Sequence, residues 1–173
     1  GMAVSKDAQN NRVYTFDLYG DLKFSDGSAI TAKDYAFSIL LTASPELAKL
    51  GGQSAAVGAI LGMDAYQSGK SSVLRGVRLL SDTQMSITIS KAYEPYFYEM
   101  ALFDYSPYPI SVLAPGCKVG DTEKGVGIVN ASGTGTAIFT ADLLQKTILD
   151  AATGYMSHPS VVSGPYTLTS SDA

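Results

Sequence analysis

Three segments of the chain alternate between apolar and polar residues with a period of two, which is typical of strands with one buried face. They span residues 13–18, 77–80 and 85–89, and a Ser-Asp-Thr turn at 81–83 joins the last two. The apolar faces carry Tyr14, Phe16 and Leu18 in the first segment and Met85, Ile87 and Ile89 in the third. The pattern predicts one strand and, later in the chain, an antiparallel hairpin whose third-segment apolar residues point into the core.

Three other segments carry apolar residues at the three-and-four spacing that marks one face of a helix. The first begins after Thr31, which stands three residues before Asp34 as in a capping box, and it ends at Ser44-Pro45. The other two each end at a glycine, Gly69 or Gly154, where helices commonly terminate. The predicted helices span residues 31–44, 53–68 and 140–153.

Together these elements predict an α+β fold, with a small, mainly antiparallel sheet covered by three or four helices. The predicted strands are Tyr14–Leu18, Val77–Leu80, Met85–Ile89 and a last one at Tyr166–Leu168. Between Gly116 and Gly135 six glycines fall in a window with few large apolar residues. We interpret residues 116–139 as a glycine-rich insertion or a mobile loop.

Length and charge narrow the possible functions. A chain of 173 residues with 46% hydrophobic content suits one compact domain, which we assign to residues 1–173. The net charge of −4 comes without a basic cluster, so the sequence does not predict a nucleic-acid partner. No apolar run reaches the roughly 20 residues that a membrane helix needs. Gly1 and Met2 are interpreted as a cloning remnant.

Residues that could support catalysis or metal binding are few. Cys117 is the single cysteine and His158 the single histidine, so the sequence predicts neither an internal disulfide nor a zinc site, and no cofactor. Gly69-Lys70-Ser71 resembles the end of a phosphate-binding loop, but Asp64 stands where that motif requires glycine, which favours a plain helix end. Because no acid, base and nucleophile converge, we do not expect an enzyme.

The residues from Tyr14 to Ser38 also resemble a known family. A Tyr-Thr-Phe strand leads through Phe-Ser-Asp-Gly, at 24–27, into Thr-Ala-Lys-Asp at 31–34. This run closely resembles a segment of the family 5 extracellular solute-binding proteins, the receptors of peptide and nickel ABC importers. Further similar stretches are Gly76–Ile89, Pro95–Tyr98, Ser106–Ile110 and Gly164–Leu168. Residues 114–162 lie outside the resemblance, and Val162 replaces a glycine of the family pattern.

The resemblance implies an excised domain of a longer receptor, since members of this family are considerably longer. The similar stretches bound the second of three domains, which flanks a peptide site formed by the first and third. The implied partners are the remaining lobes of the receptor, a peptide ligand and an ABC permease, and the implied location is extracytoplasmic, either periplasmic or on a cell-surface lipoprotein. Because the chain would leave the first lobe and return to it, the strands near Tyr14 and Tyr166 are expected on one side of the domain.

The densest aromatic cluster contains the candidate ligand-binding residues. It comprises Tyr93, Tyr96, Phe97, Tyr98, Phe103, Tyr105 and Tyr108. The resemblance implies that the flanking domain approaches the bound peptide here, so we predict that Phe103, Asp104 and Tyr105 form a rim facing the ligand. These residues also leave a predicted helix and precede prolines that stiffen the chain. The alternative is that Phe103 and Tyr105 complete the core while Asp104 caps a turn.

Two functions stay open at this point. One is capture of a peptide for import, although nickel, haem and sugar receptors share the scaffold by resemblance. The other is a non-transport interaction module that has kept the same domain and docks partners, with its glycine-rich segment as the candidate docking surface.

Overall fold

The computed structural model describes residues 1–52, 58–94, 101, 103–166, 168 and 169. The strands in this part of the chain are β1 (Met2–Lys6), β2 (Arg12–Asp17), β3 (Val77–Ser81), β4 (Gln84–Ile89), β5 (Cys117–Thr122) and β6 (Gly125–Asn130). The α-helices are α1 (Ala32–Ala43), α2 (Pro45–Ala48), α3 (Met63–Gln67), α4 (Ile110–Leu113) and α5 (Ala141–Leu144). The predicted α+β class, with small antiparallel sheets and a few helices, is confirmed.

Four strands form the main sheet in the order β1-β2-β4-β3, and every neighbouring pair is antiparallel. The predicted β3–β4 hairpin is confirmed, with Val77 opposite Ile87. On the next strand Tyr14 stands opposite the same Ile87, and all three side chains are buried. The apolar face predicted from the period of two is therefore the core face of the sheet. Ser86 and Thr88 are buried as well, so both faces of β4 are covered.

Strand β1 was not predicted from the sequence. All five of its residues are exposed, and Met2 and Val4 alone are too few to mark an apolar face. It forms by pairing with β2, which places Met2 opposite Phe16 and Lys6 opposite Arg12.

Helix α1 begins and ends where the sequence predicted. The Asp34 carboxylate accepts hydrogen bonds from the Thr31 amide and hydroxyl at 2.8 and 2.9 Å, which satisfies the backbone N–H of the N-cap residue. Burial raises the pKa of Asp34, and these hydrogen bonds partly offset the effect. At the other end Ser44 accepts a hydrogen bond from the Leu47 amide and begins α2 directly.

The core forms around α1, which contacts β3, β5, β6 and α3. Phe37 and Leu40 of this helix are fully buried, as are Leu74 and Val126 from the segments packed against it. Burying apolar area of this kind is the main favourable contribution to folding. The helix is buried on most of its circumference because sheet and hairpin both pack on it.

The segment interpreted as a glycine-rich insertion or a mobile loop is not a loop over residues 117–130, and the insertion alternative stays a prediction. These residues form the β5–β6 hairpin, and β6 docks against the chain before β3, where the Leu74 and Val126 backbones exchange two hydrogen bonds. A Cβ on Gly125 would lie 2.3 Å from the Leu74 oxygen, and one on Gly127 would lie 2.6 Å from the Ser72 oxygen. These two glycines therefore permit close backbone contact, a role that the sequence alone does not distinguish from flexibility.

The rest of the glycine-rich segment, residues 131–139, is a loop fastened by one side chain. The Asn130 amide nitrogen donates to the carbonyl oxygens of Thr134 and Thr136, both at 2.9 Å. Its oxygen accepts from the Ile138 amide at 2.9 Å. This side chain thus holds an exposed turn without regular secondary structure.

The two other predicted helices are shorter than expected. For residues 53–68 only α3 is helical in the described part, and residues 53–57 lie outside it. Ile60 instead forms an isolated bridge with Ile89, because the chain must pass along the end of β4 before it turns at Gly62. The last predicted helix divides into α5 and a π-helical turn, Gln145–Leu149. Its end is set by Asp150, whose carboxylate accepts hydrogen bonds from the amides of Ala152 and Thr153.

The predicted last strand, Tyr166–Leu168, is also wrong at the described positions. Tyr166 and Leu168 belong to no strand, and the Tyr166 side chain is 86% exposed; Thr167 lies outside the described residues. The C-terminal segment contacts the connection between β2 and α1, where Val162 and Ser25 are joined by two hydrogen bonds of 2.8 and 3.1 Å. The expectation that the segments near Tyr14 and Tyr166 lie on one side of the domain stays a prediction.

Removing a buried leucine should cost far more stability than removing an exposed one. We expect Leu40→Ala to lower the free energy of unfolding by about 2 to 5 kcal/mol, because Leu40 is fully buried. The matched control, Leu80→Ala, changes a side chain that is 53% exposed and should cost less than about 1 kcal/mol. Urea denaturation of both variants gives the comparison, and equal losses would contradict the assignment of the core.

Gly125→Ala should disturb the docking of the β5–β6 hairpin. Its added Cβ would strike the Leu74 carbonyl, and its φ of 130° is strained for any other residue. Gly133 also has a positive φ, 77°, but nothing lies within 4 Å of an added Cβ. We expect a loss of about 1 to 2 kcal/mol for Gly133→Ala and a clearly larger one for Gly125→Ala. Thermal unfolding of both variants tests this, and a larger loss at Gly133 would refute the role given to Gly125.

Candidate ligand-facing site

The segment from Phe103 to Tyr108 follows residues outside the described part and is bonded to the middle of α1. Its anchor is Ser38, a fully buried residue of that helix. The Tyr108 amide donates to the Ser38 hydroxyl at 2.9 Å, and the same hydroxyl donates to the Asp34 carbonyl at 3.0 Å. Pro107 and Pro109 on either side are buried. The segment is therefore held at one end by the helix and stiffened by two fixed φ angles.

Phe103 packs against the aromatic residues of β2. Its ring centroid lies 4.7 Å from that of Tyr14 and 5.1 Å from that of Phe16, with interplanar angles of 51° and 64°. Tilted and edge-to-face pairs of this kind contribute roughly 0.5 to 1.5 kcal/mol each beyond the area they bury. The side chain is half-buried, so it covers the sheet and keeps one part accessible.

Tyr105 lies on the same side of the domain. It is half-buried, and burial raises the pKa of its hydroxyl. Together with Phe103 it borders a small apolar hollow of about 90 Å³. The other residues that line the hollow are Phe16, Leu18, Tyr35, Ile39, Met85 and Ile87.

Asp104 points away from this packing. It is exposed, and its side chain forms no ion pair or hydrogen bond with any residue that the structure describes. Three consecutive residues thus present two half-buried aromatic rings and, between them, a hydrated carboxylate. The arrangement is intermediate between the two expectations from the sequence, since the rings are neither fully buried nor free of the core. The proposed contact of these residues with a ligand stays a prediction.

Two larger concave surfaces were missed in the sequence, because each is assembled from distant segments. A groove of about 630 Å³ is mainly apolar and lies beside the edge-to-face pair Tyr108 and Tyr155, whose centroids are 6.3 Å apart. It is lined chiefly by Leu41, Leu47, Leu50, Leu113, Ile148 and Met156. A cleft of about 430 Å³ lies between the start of α2 and the loop held by Asn130.

The groove is mainly apolar, and the cleft combines apolar side chains with polar ones, including Ser71, Ser72 and Asn130. In the described part of the chain no three His, Cys, Asp or Glu side chains are grouped so as to hold a metal ion. Cys117 is buried, and burial raises the pKa of its thiol, which makes it a poor nucleophile. Among the described residues no helix is long and apolar enough to cross a membrane.

Comparison with known proteins gives a consistent result. The sequence model described as "Bacterial extracellular solute-binding proteins, family 5 Middle" matches residues 1–173. The periplasmic oligopeptide-binding protein OppA of Escherichia coli is 31% identical over 138 residues, which are 78% of this chain and 25% of that protein. A dipeptide-binding protein of Lactococcus lactis subsp. cremoris is 38% identical over 96 residues, which are 54% of this chain and 16% of that protein.

Solved structures share the fold. Lactococcal OppA, complexed with an endogenous peptide in the closed conformation, matches 99% of this chain with 27% of its own, at a TM-score of 0.60 and 20% identity. The substrate-binding domain of an oligopeptide ABC transporter from Bacillus anthracis matches 96% of this chain with 26% of its own, at a TM-score of 0.55 and 23% identity. The chain thus spans about a quarter of the length of these proteins.

Phe103 and Asp104 should differ sharply in their effect on stability. We expect Phe103→Ala to lower the free energy of unfolding by roughly 1 to 3 kcal/mol, less than for a fully buried phenylalanine, because it loses its contacts with Tyr14 and Phe16. Asp104→Ala removes an exposed side chain and should stay within about 0.5 kcal/mol of the parent. Chemical denaturation measures both. A large loss at Asp104 would show that its carboxylate has a structural role.

Proposed function

The chain belongs to the bacterial extracellular solute-binding proteins of family 5, and on that basis we propose that it is one domain of a receptor that captures peptides for an ABC importer. The observation that carries the proposal is the match of the family over all 173 residues. The names of its relatives, oligopeptide-binding and dipeptide-binding proteins, support a peptide as the ligand. The proposed receptor works outside the cytoplasmic membrane and passes its ligand to a permease.

The proposed activity is binding, and no bond is made or broken. A peptide would be enclosed when the lobes of the receptor close on it, with hydrogen bonds to its backbone and roomy pockets for its side chains. Such recognition depends little on the ligand's sequence. This suits a domain whose described concave surfaces are mainly apolar or combine apolar and polar side chains.

In this proposal the domain contributes a flank of the ligand cleft, and other lobes contribute the rest. The hollow beside Phe103 and Tyr105 is about 90 Å³, whereas sites that enclose a small molecule typically measure roughly 300 to 1,000 Å³. It is too small to hold a peptide by itself. The share of the relatives that this chain spans, about a quarter, leaves ample polypeptide to form the remaining walls.

We assign the ligand-facing contact to Phe103, Asp104 and Tyr105. The two rings offer flat apolar surface on a rigid support, because Phe103 rests on β2 and the segment after Tyr105 is tied to Ser38. The Asp104 carboxylate is exposed between them and could attract the positive end of a peptide.

The proposal predicts that this chain alone binds peptides poorly and that the full-length receptor binds them well. Isothermal titration of the 173-residue chain with a mixed peptide library should give no heat of binding, since most of the cleft is missing. The full-length receptor should bind members of the same library at about micromolar Kd or tighter, which corresponds to roughly −8 kcal/mol. In that receptor Asp104→Ala should weaken binding without changing the melting temperature.

Two results would contradict the proposal in different ways. Micromolar binding by the chain alone would show that this domain has a complete site of its own. No binding by the full-length receptor would exclude peptide capture and favour a docking module that has kept the fold. Full affinity in the Asp104→Ala receptor would remove Asp104 from the site and leave the proposed function intact.

A further inference from the structure

The two edges of the main sheet, β3 and β1, differ in whether other residues of the domain cover them. At the β3 edge the backbone N–H of Leu79 faces away from β4 and donates to the Asp121 carboxylate at 3.0 Å. The N–H of Val77 on the same edge donates to the Leu74 carbonyl at 3.5 Å. The β5–β6 hairpin, which carries Asp121, packs beside this strand and covers it. The β3 edge is therefore closed by the domain's own residues.

The β1 edge is open, and the hydrogen-bond pattern shows which groups it offers. Gly1 and Asp17 exchange two backbone hydrogen bonds, at 2.8 and 2.9 Å. In an antiparallel ladder such pairs recur at every second residue, so Ala3 and Ser5 also bond to β2. On the other side of β2 the Leu18 amide donates to the Thr83 carbonyl, which fits the same alternation.

It follows that the intervening residues, Met2, Val4 and Lys6, point their N–H and C=O groups away from β2. Within the described residues none of these groups has a hydrogen-bond partner. Unpaired groups along a strand edge form a template for another strand. Natural proteins usually cover or block such an edge, as this domain does at β3.

The side chains of β1 indicate what kind of strand would fit. Val4 lies on the core face of the sheet, opposite Tyr14, yet it is 52% exposed. Met2, which was interpreted above as part of a cloning remnant, lies on the same face opposite Phe16 and is 46% exposed. Ala3 and Ser5 on the other face are small. An added strand with apolar residues at alternate positions would cover Met2 and Val4 and extend the apolar face beyond them.

We propose that the outer edge of β1 pairs with a strand from another part of the same receptor polypeptide, so that the sheet continues beyond this domain. This inference rests on the proposed function, in which the chain is one part of a longer receptor. The relatives provide the source of the strand, because about three quarters of their length lies outside the matched region.

A separate molecule fits this edge less well. Three residues offer few hydrogen bonds, and in aqueous solution each bond contributes only a small net free energy. This sum does not offset the entropy that a free peptide or a second copy loses on binding. A strand in the same polypeptide is already held nearby and has a high effective concentration. The short edge therefore suits an intramolecular partner.

Amide hydrogen exchange tests the proposal directly. In the 173-residue chain the amides of Ala3 and Ser5 should exchange slowly and those of Val4 and Lys6 fast, since only the first two face β2. In the full-length receptor without peptide, Val4 and Lys6 should exchange at least about tenfold more slowly than in the chain alone. Equal fast exchange in both proteins would overturn the proposal. If Val4 and Lys6 are protected in the chain alone, and this protection increases with protein concentration, the partner is a second copy of the chain. That result would also overturn the proposal.

A proline substitution provides a second test. Val4→Pro removes only an outward N–H, so it should leave the thermal stability of the 173-residue chain unchanged and lower the melting temperature of the full-length receptor. Val4→Ala, which keeps the N–H, is the matched control for loss of the side chain. Ala3→Pro removes an N–H that faces β2 and should destabilise both proteins. If Val4→Pro does not affect the full-length receptor beyond the Val4→Ala control, the pairing is refuted. Neither test uses a peptide, so a failure here is distinct from a failure of peptide binding.

Discussion

The burial of α1 is the interaction on which the rest of this domain depends. The helix has apolar residues on most of its circumference. These side chains are buried because β3, β5, β6 and α3 all pack against the helix. Its ends are equally constrained. Asp34 and Thr31 close the start, and Ser44 joins the end to α2 through a hydroxyl that donates to Leu41 and accepts from Leu47. With the helix fixed, the sheet and the hairpin on either side of it have defined positions.

The same helix positions the candidate site. Ser38 would usually be expected on an exposed helix face, yet here it is buried and links the helix to the Tyr108 amide. That link holds the chain that carries Phe103, Asp104 and Tyr105, while the rings of Tyr14 and Phe16 support Phe103 from the sheet. A rigid support is useful for a binding surface because less conformational freedom is lost when a ligand binds.

The surfaces left open fit a domain that works beside others. The described residues include an apolar groove of about 630 Å³ and an unpaired strand edge, and both would be unusual on a protein that acts alone. The proposed function gives a physical reason for them, since a domain within a larger receptor would bury some of its surface against neighbouring lobes.

The sequence by itself determined the elements whose signals are local. The period of two in β4, the spacing of apolar residues in α1 and the Thr31–Asp34 cap depend on residues a few positions apart, and each appears in the structure as predicted. The family could also be recognised, because the run from Tyr14 to Ser38 combines a strand, a turn and a capped helix in a specific order.

Only the tertiary structure decided the features that depend on distant contacts. Gly125 and Gly127 could not be distinguished from loop glycines until the backbone of residues 72–75 was seen against them. Strand β1 has no buried residue, and its pairing with β2 alone defines it. The half-buried state of Phe103 and Tyr105 likewise depends on a distant contact, because the segment that carries them follows β4 in the sequence but packs on the aromatic residues of β2. In each case the deciding energy comes from groups far apart in the sequence, which no local pattern records.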